Sequence, residues 1–380
     1  MLLKQRGSGK PVGGSANGRS ILGPARPPDH VLVAISKPPG LSVTGKPGEL
    51  TLLSLLPDLS QKLGLPQDLQ VIRAAGKESS GLVLLSSCPN TIRHVHNFYI
   101  QSRRARNPTA TYCAITTRIP EASEGEICTG LKLMQVGDFN LVVPVASPSR
   151  NSLKRKEVKK TLTHYKVLDS HEGCALLQLQ PLTATYRLSS AVASTSYPFS
   201  PQGRLERAQV VSNTILHLDA HYASGLLEPV QRLLCSLPPP PYVCLSVSLF
   251  LEVFHNQLLV HLTLILSPAL GDHVYSSRVG TVLGEPFLLP AESTLPRIQV
   301  LEDSLLKKLH LQQQHIHRLQ LHLHLYQLQL PATGAFPSNT VLTAPLPTFF
   351  LQTLSLLGLA LPQEENKEPG KTLKAFSPTQ

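Results

Sequence analysis

The feature that most narrows what this chain can fold into is a succession of short apolar runs, each stopped by glycine, proline or a polar turn. Val31-Leu32-Val33-Ala34-Ile35 is closed by Lys37-Pro38-Pro39-Gly40, and residues 81–86 and 109–117 repeat the same texture, as do residues 140–145. Runs this short, rich in branched side chains and bounded by turn residues, read as buried strands. Residues 161–168 and 174–182 read as a hairpin around 169–173. Between Leu319 and Leu325 leucines alternate with Gln320, His322 and His324; the phase slips at Tyr326 and resumes at Leu328, the mark of a bulge. Helical signals are fewer. Residues 52–65 are leucine-rich, with Pro57 expected to break or shorten the helix. A second helix follows Pro89, capped by Asn90, with Ile92, Val95 and Phe98 at helical spacing, and ends near Arg103, Arg104 and Arg106.

Composition sets the class. With 380 residues, 42% hydrophobic and 16% charged, the chain is globular and long enough for one large core or two smaller ones. A net charge of +11 favours an anionic partner through counterion release and long-range attraction. The six cysteines form no C-x-x-C pair and no zinc-like spacing, so buried thiols in a reducing compartment are expected, with no metal. His322 and His324 share one strand face; without a third ligand they read as an exposed polar face. Residues 1–29 carry Lys4, Arg6, Lys10, Arg19 and Arg26 with no acid before Asp29, which suits a basic tail or an organelle transit segment. Gly7-Ser8-Gly9-Lys10 fails as a phosphate loop because Pro11 follows where Ser or Thr is required. Residues 242–266 are apolar, but Glu252, His255, Asn256, Gln257 and His261 argue against a membrane span.

Taken in order, several segments resemble the RluA-type RNA pseudouridine synthases. Val33 to Val43 is similar to that family's opening strand and Lys-Pro-x-Gly-Leu turn; Ser79-Ser80-Gly81-Leu82 is similar to its Thr-Ser-Gly-Leu; Thr111-Tyr112-Cys113-Ala114 is similar to its tyrosine-bearing strand. Asn256-Gln257-Leu258-Leu259-Val260-His261 resembles the family's His-Gln-Ile-Arg-x-His, and Pro268 to Tyr275 its Pro-Leu-x-Gly-Asp-x-x-Tyr. Ala344-Pro345-Leu346-Pro347 resembles the closing motif. The resemblance implies an α+β fold, with a mixed, largely antiparallel sheet, flanking helices and a central RNA cleft. It also implies isomerisation of uridine to pseudouridine in RNA (mRNA or rRNA) without cofactor or metal, in a mitochondrial setting. The reaction needs a carboxylate nucleophile, an aromatic side chain against the base and an extruded nucleotide.

Departures are concentrated at the site. The family's catalytic aspartate position is Gly76, and Glu78, two residues on, is poorly placed to substitute. Tyr112 is retained as the candidate base-stacking residue, while Leu259 replaces an arginine. Lys37, Lys77, Arg103, Arg104, Arg106, Lys154, Lys156, Lys159 and Lys160 are the expected phosphate contacts, with Gln257 and His261 as further RNA-binding residues from the resemblance. Thr183 and Val253 are adjacent in the family pattern, so the expected organisation is a first part at 30–183, a poorly ordered excursion at 184–252, a second part at 253–360 and a disordered tail at 361–380.

Overall fold

The computed structural model describes residues 32–46, 48–155, 157–183, 256–291, 294–332 and 339–361, together with the backbone of 185–191, 246–252 and 372–374. Lys156, the basic start and Phe254-His255 lie outside the described residues. The chain runs β1 (Leu32–Lys37), α1 (Leu52–Leu63), β2 (Gln70–Ala74), β3 (Ser80–Ser86), α2 (Pro89–Arg104), β4 (Ala110–Thr116), β5 (Glu124–Val136) and β6 (Phe139–Val145). It continues through α3 (Arg150–Lys154), β7 (Lys159–His171), β8 (Cys174–Pro181), β9 (Thr185–Ala191), β10 (Ser246–Glu252), α4 (Gln257–Leu264), β11 (Val279–Val282) and β12 (Glu285–Leu288). The last elements are α5 (Asp303–Lys308), β13 (Leu323–Leu330), β14 (Thr340–Thr343), α6 (Thr348–Leu356) and β15 (Thr372–Lys374). The fold is α+β, and its large mixed sheet is mostly antiparallel, with parallel pairing where β13 meets β3, β10 meets β2 and β15 meets β14.

Register shows that this sheet forks. Gly81 of β3 is flanked by Lys37 on one side and Leu325 on the other; further along the strand, Leu84 is flanked by Ala34 and by Arg73. Both β13 and β2 therefore lie on the side of β3 opposite β1, one after the other. Beyond the crotch, β3 carries β2, β10 and β9, whereas β13 turns its same edge to β14. The two leaves are joined in register at Ser80–His324 and Gly81–Leu325. Gly81 has φ +122°, and a Cβ there would sit 2.4 Å from the Leu325 carbonyl oxygen, so the close approach of the leaves requires glycine.

Three cores follow from the two faces. Alternate residues of both leaves, including Leu84, Tyr112, Leu177 and Leu325, pack under α2 and α4 in a core that spans the fork. The opposite face of β3 and β2 packs on α1, and the opposite face of β4, β8 and β13 packs on α5 and α6. Two bulges change which side chains face which core. At Tyr326 the β13 register shifts between Leu325 and Gln327, as the alternation predicts. At Ile72 the β2 register shifts between Val71 and Arg73, so Ile72 and Arg73 both face α2 while Val71 and Ala74 face α1.

Several expectations need correction. Residues 52–63 form one unbroken helix: Thr51 and Ser54 close a capping box, Gly64 terminates it in the left-handed region, and Leu52 and Leu56 are buried. Pro57 forfeits a hydrogen bond at roughly 3 kcal/mol, which the cap and the buried leucines offset. The second helix is capped at Cys88 with Pro89 in its first turn, not at Asn90. His322 and His324 do not form an exposed face, because α6 covers them: His322 packs against Phe349 and Phe350, and its Nε2 lies 2.8 Å from Thr353 Oγ1. Among the described residues no cluster could hold a metal ion, and no helix is long and apolar enough to cross a membrane. The interval 184–252 begins and ends in strands β9 and β10, paired antiparallel from Thr185–Glu252 to Ala191–Ser246. Near the C-terminus, residues 372–374 pair with β14.

Candidate functional site

The crotch of the fork brings the chemistry-bearing segments together. β2 runs toward it and delivers the loop of Gly76, Lys77 and Glu78, while β13 places Leu325 between Gly81 and Tyr112 of β4. Tyr112 is thus one strand from the crotch, on the face shared with Leu84 and Leu258, and is 3% exposed. Gly76, at the position where the sequence resemblance expects the nucleophile, has no positive φ, and a Cβ built there would meet only Ser79 Oγ, at 4.0 Å. Glu78 is exposed and pairs at 3.7 Å with Lys77, pointing to solvent in keeping with the poor placement expected of it.

The loop is held from below by Lys37. This lysine, expected at the phosphate surface, is instead 2% exposed. Its Nζ donates to the carbonyl oxygens of Pro38 (3.0 Å), Lys77 (3.1 Å) and Ser79 (2.8 Å). The Gly40 N–H also donates to the Lys77 carbonyl, at 2.9 Å. An ammonium ringed by carbonyls at the end of β1 fixes the backbone on both sides of Glu78. At the crotch itself Ser80 Oγ lies 2.9 Å from His324 Nδ1, which ties the leaves by side chains as well as backbone.

Gln257 and His261, expected to contact RNA, are buried by the packing of α4 on β7. Gln257 Nε2 donates to Thr163 Oγ1 (3.0 Å), and Thr183 Oγ1 donates to Gln257 Oε1 (3.2 Å). His261 Nε2 lies 2.9 Å from Thr161 Oγ1, and burial pushes its pKa down to about 3, so the ring is neutral. Leu259, the apolar replacement for an arginine, joins Tyr112 in the same core. Thr183 and Gln257 therefore touch although 74 positions separate them in sequence, which closes the excursion at its base.

The remaining basic candidates lie on the surface at one end of the sheet. β4 and β7 both run antiparallel to β8, which lies between them, so both strands start from the same end of the sheet. Arg104 and Arg106 precede β4, Lys154 precedes β7 and Lys160 lies at its start; these are exposed, while Arg103 is partly so. Lys159 is the exception, because its Nζ is buried and turned away from a phosphate surface. Two buried charged side chains were not singled out individually from the sequence. Asp272 is buried, accepts from the Val274 and Tyr275 N–H groups (both 2.9 Å) and has its pKa raised to about 6 by burial. Its motif partner Tyr275 accepts from Val142 N and Asn256 Nδ2, which fixes the start of α4. The other is Arg73, whose orientation depends on the Ile72 bulge. A hollow of about 340 Å³ lined by Leu311, His315, Arg318 and Leu319 lies beside the α5 core, away from the crotch.

Comparison with known proteins bears on the family and the fold. The family model described as RNA pseudouridylate synthase matches residues 31–187. The mitochondrial mRNA pseudouridine synthase of Homo sapiens is 46% identical over 331 residues, covering 87% of this chain and 74% of that protein. Its Mus musculus counterpart is 45% identical over 330 residues, covering 87% and 76%. A mitochondrial pseudouridylate synthase of Mus musculus is 28% identical over 356 residues, covering 90% and 71%. Among solved structures, human RNA pseudouridylate synthase domain containing 4 superposes with a TM-score of 0.53 at 24% identity, covering 87% of this chain and 92% of that one, which supports the fold.

Proposed function

Because the chain belongs to the RNA pseudouridylate synthase family, we propose that it isomerises uridine to pseudouridine in mitochondrial RNA, with mRNA as the substrate. The observation that carries the reading is the convergence of the Gly76 loop and Tyr112 on one crotch, in a chain 46% identical to a mitochondrial mRNA pseudouridine synthase. The exposed cations Arg104, Arg106, Lys154 and Lys160, with the partly exposed Arg103 beside them, supply an electrostatic footprint for the phosphate backbone. Tyr112 offers a ring to stack on an extruded uracil once the nucleotide enters the fork. Lys37 holds the Gly76 loop through the Lys77 and Ser79 carbonyls, so its contribution is positional.

A second reading has its own observation. Gly76 supplies no carboxylate, and Leu259 supplies no guanidinium. A chain lacking both would bind RNA in the same cleft without turnover, since covalent catalysis is lost with its nucleophile.

Mapping pseudouridine in mitochondrial RNA from cells with and without the protein separates the two. Enzyme action predicts uridines that lose the modification on depletion and regain it with the wild-type chain. RNA crosslinks that persist while no uridine changes would leave only the binding reading.

A further inference from the structure

The bulge at Ile72 turns Arg73 into the fork. Arg73 is 2% exposed, its guanidinium carbon lies 5.0 Å from the centre of the Tyr99 ring, and its Nη1 donates to Thr109 Oγ1 at 3.2 Å. Arg73 belongs to one leaf, Thr109 stands at the start of β4 on the other, and Tyr99 reaches in from α2, so three elements converge. Among the described residues no carboxylate pairs with this cation. A buried guanidinium has five N–H donors and is normally matched by an anion. The Tyr99 hydroxyl is buried with no hydrogen-bond partner among the described residues, which is costly unless something fills the role. Burial raises the Tyr99 pKa to about 12, so the group is a donor at neutral pH.

We propose that Arg73, Tyr99 and Thr109 form an oxyanion site in the fork that takes a phosphoryl group. The donors are a planar cationic fork, a phenol and a hydroxyl, the set that suits tetrahedral phosphate oxygens, and no acidic group opposes them among the described residues. Arg73 precedes Gly76 by three positions, so the occupant would be a backbone phosphodiester beside the target uridine; this part rests on the RNA reading above. Free phosphate shares the chemistry and is the other possible source.

The test uses the full chain as wild type, Tyr99→Phe and Arg73→Lys. Tyr99→Phe keeps the ring under the guanidinium and removes only the hydroxyl; Arg73→Lys keeps the charge and removes the fork. Binding of inorganic phosphate by calorimetry and of a short uridine-containing RNA by fluorescence anisotropy are measured, with thermal melts confirming that the variants fold. Each substitution is expected to weaken the occupied probe about 5- to 10-fold, the loss typical of one charge-assisted hydrogen bond. Loss confined to RNA assigns the site to the backbone phosphodiester, and loss confined to phosphate assigns it to a free oxyanion. Wild type that binds phosphate but no RNA removes the RNA reading and leaves the site standing. Folded variants that bind both probes within twofold of wild type overturn the site.

Discussion

At the scale of single residues, Gly76 and Lys37 make opposite predictions. Gly76 has no positive φ and an open space where a Cβ would stand. Gly76→Asp should therefore fold with a stability change within about 1 kcal/mol, and should raise pseudouridine formation on a bound RNA at least about tenfold if a carboxylate is what the crotch lacks. Quantifying pseudouridine by mass spectrometry after single-turnover incubation checks this; a folded variant with unchanged yield shows that more than the carboxylate is missing. Lys37→Met removes the shared ammonium donor from the Pro38, Lys77 and Ser79 carbonyls, of which Lys77 keeps the Gly40 N–H. A loss of about 2–4 kcal/mol is expected, together with faster amide exchange through residues 77–80. The lysine and the glycine can both be read from sequence, but their surroundings cannot: Lys-Pro-Pro-Gly is equally compatible with a lysine facing solvent, and only the docking of β1 on β3 turns it inward.

At the scale of elements, the parallel join between β3 and β13 is the point on which the two leaves depend. Gly81→Ala would drive a methyl into the Leu325 backbone at a φ that disfavours any side chain, and should cost about 3 kcal/mol or more. Gly40→Ala, also at positive φ but with nothing within 4 Å, should cost only about 1 kcal/mol. Urea titration of the pair reads the difference; equal losses would mean that the leaf contact is dispensable. The Tyr326 bulge was legible because its flanking leucines alternate with polar residues, so a phase slip is visible. The Ile72 bulge was not, because Val71 and Ile72 are both apolar and Ala74 and Ala75 both small, leaving no alternation to break. Strand β5 was likewise missed, since its long, mostly exposed course through Glu124, Glu126 and Lys132 carries little apolar signal.

For the whole molecule, buried histidines set the acid limit. Burial lowers the pKa values of His96, His322 and His324 to about 4 and that of His261 to about 3. Unfolded, each titrates near 6.5, so below that pH the unfolded chain binds more protons. Their contribution is complete above pH 6.5 and is lost as pH falls through about 4, and for His261 about 3, with an upper bound of roughly 3–5 kcal/mol each. Asp272 acts oppositely: its pKa of about 6 favours the folded state fully below its unfolded value near 3.8, and that benefit fades as pH rises through 6. Four histidines outweigh one aspartate, so urea stability should fall between pH 6.5 and 4.5, and less steeply in a His322→Asn, His324→Gln double variant; parallel slopes would show that these rings do not control it. The excursion is tested at the same scale. Thr183 and Gln257 are hydrogen-bonded across it, so a chain lacking 184–252 is expected to melt within about 5 °C of the full protein, and a chain that no longer folds would show that β9 and β10 belong to the core.

What the sequence determined by itself is what local chemistry encodes: which segments are strands, where turns and one bulge fall, the basic balance, and the order of motifs that points to the family. Tertiary structure decided which side chains meet. Burial of Lys37, Gln257 and His324, the inward turn of Arg73, and the fork at Gly81 all come from contacts between segments far apart in the chain, such as α6 closing over β13 or Thr109 meeting Arg73. Such contacts leave no periodic trace in either partner, because a polar residue answered by a distant donor or acceptor looks, in sequence, the same as one answered by water.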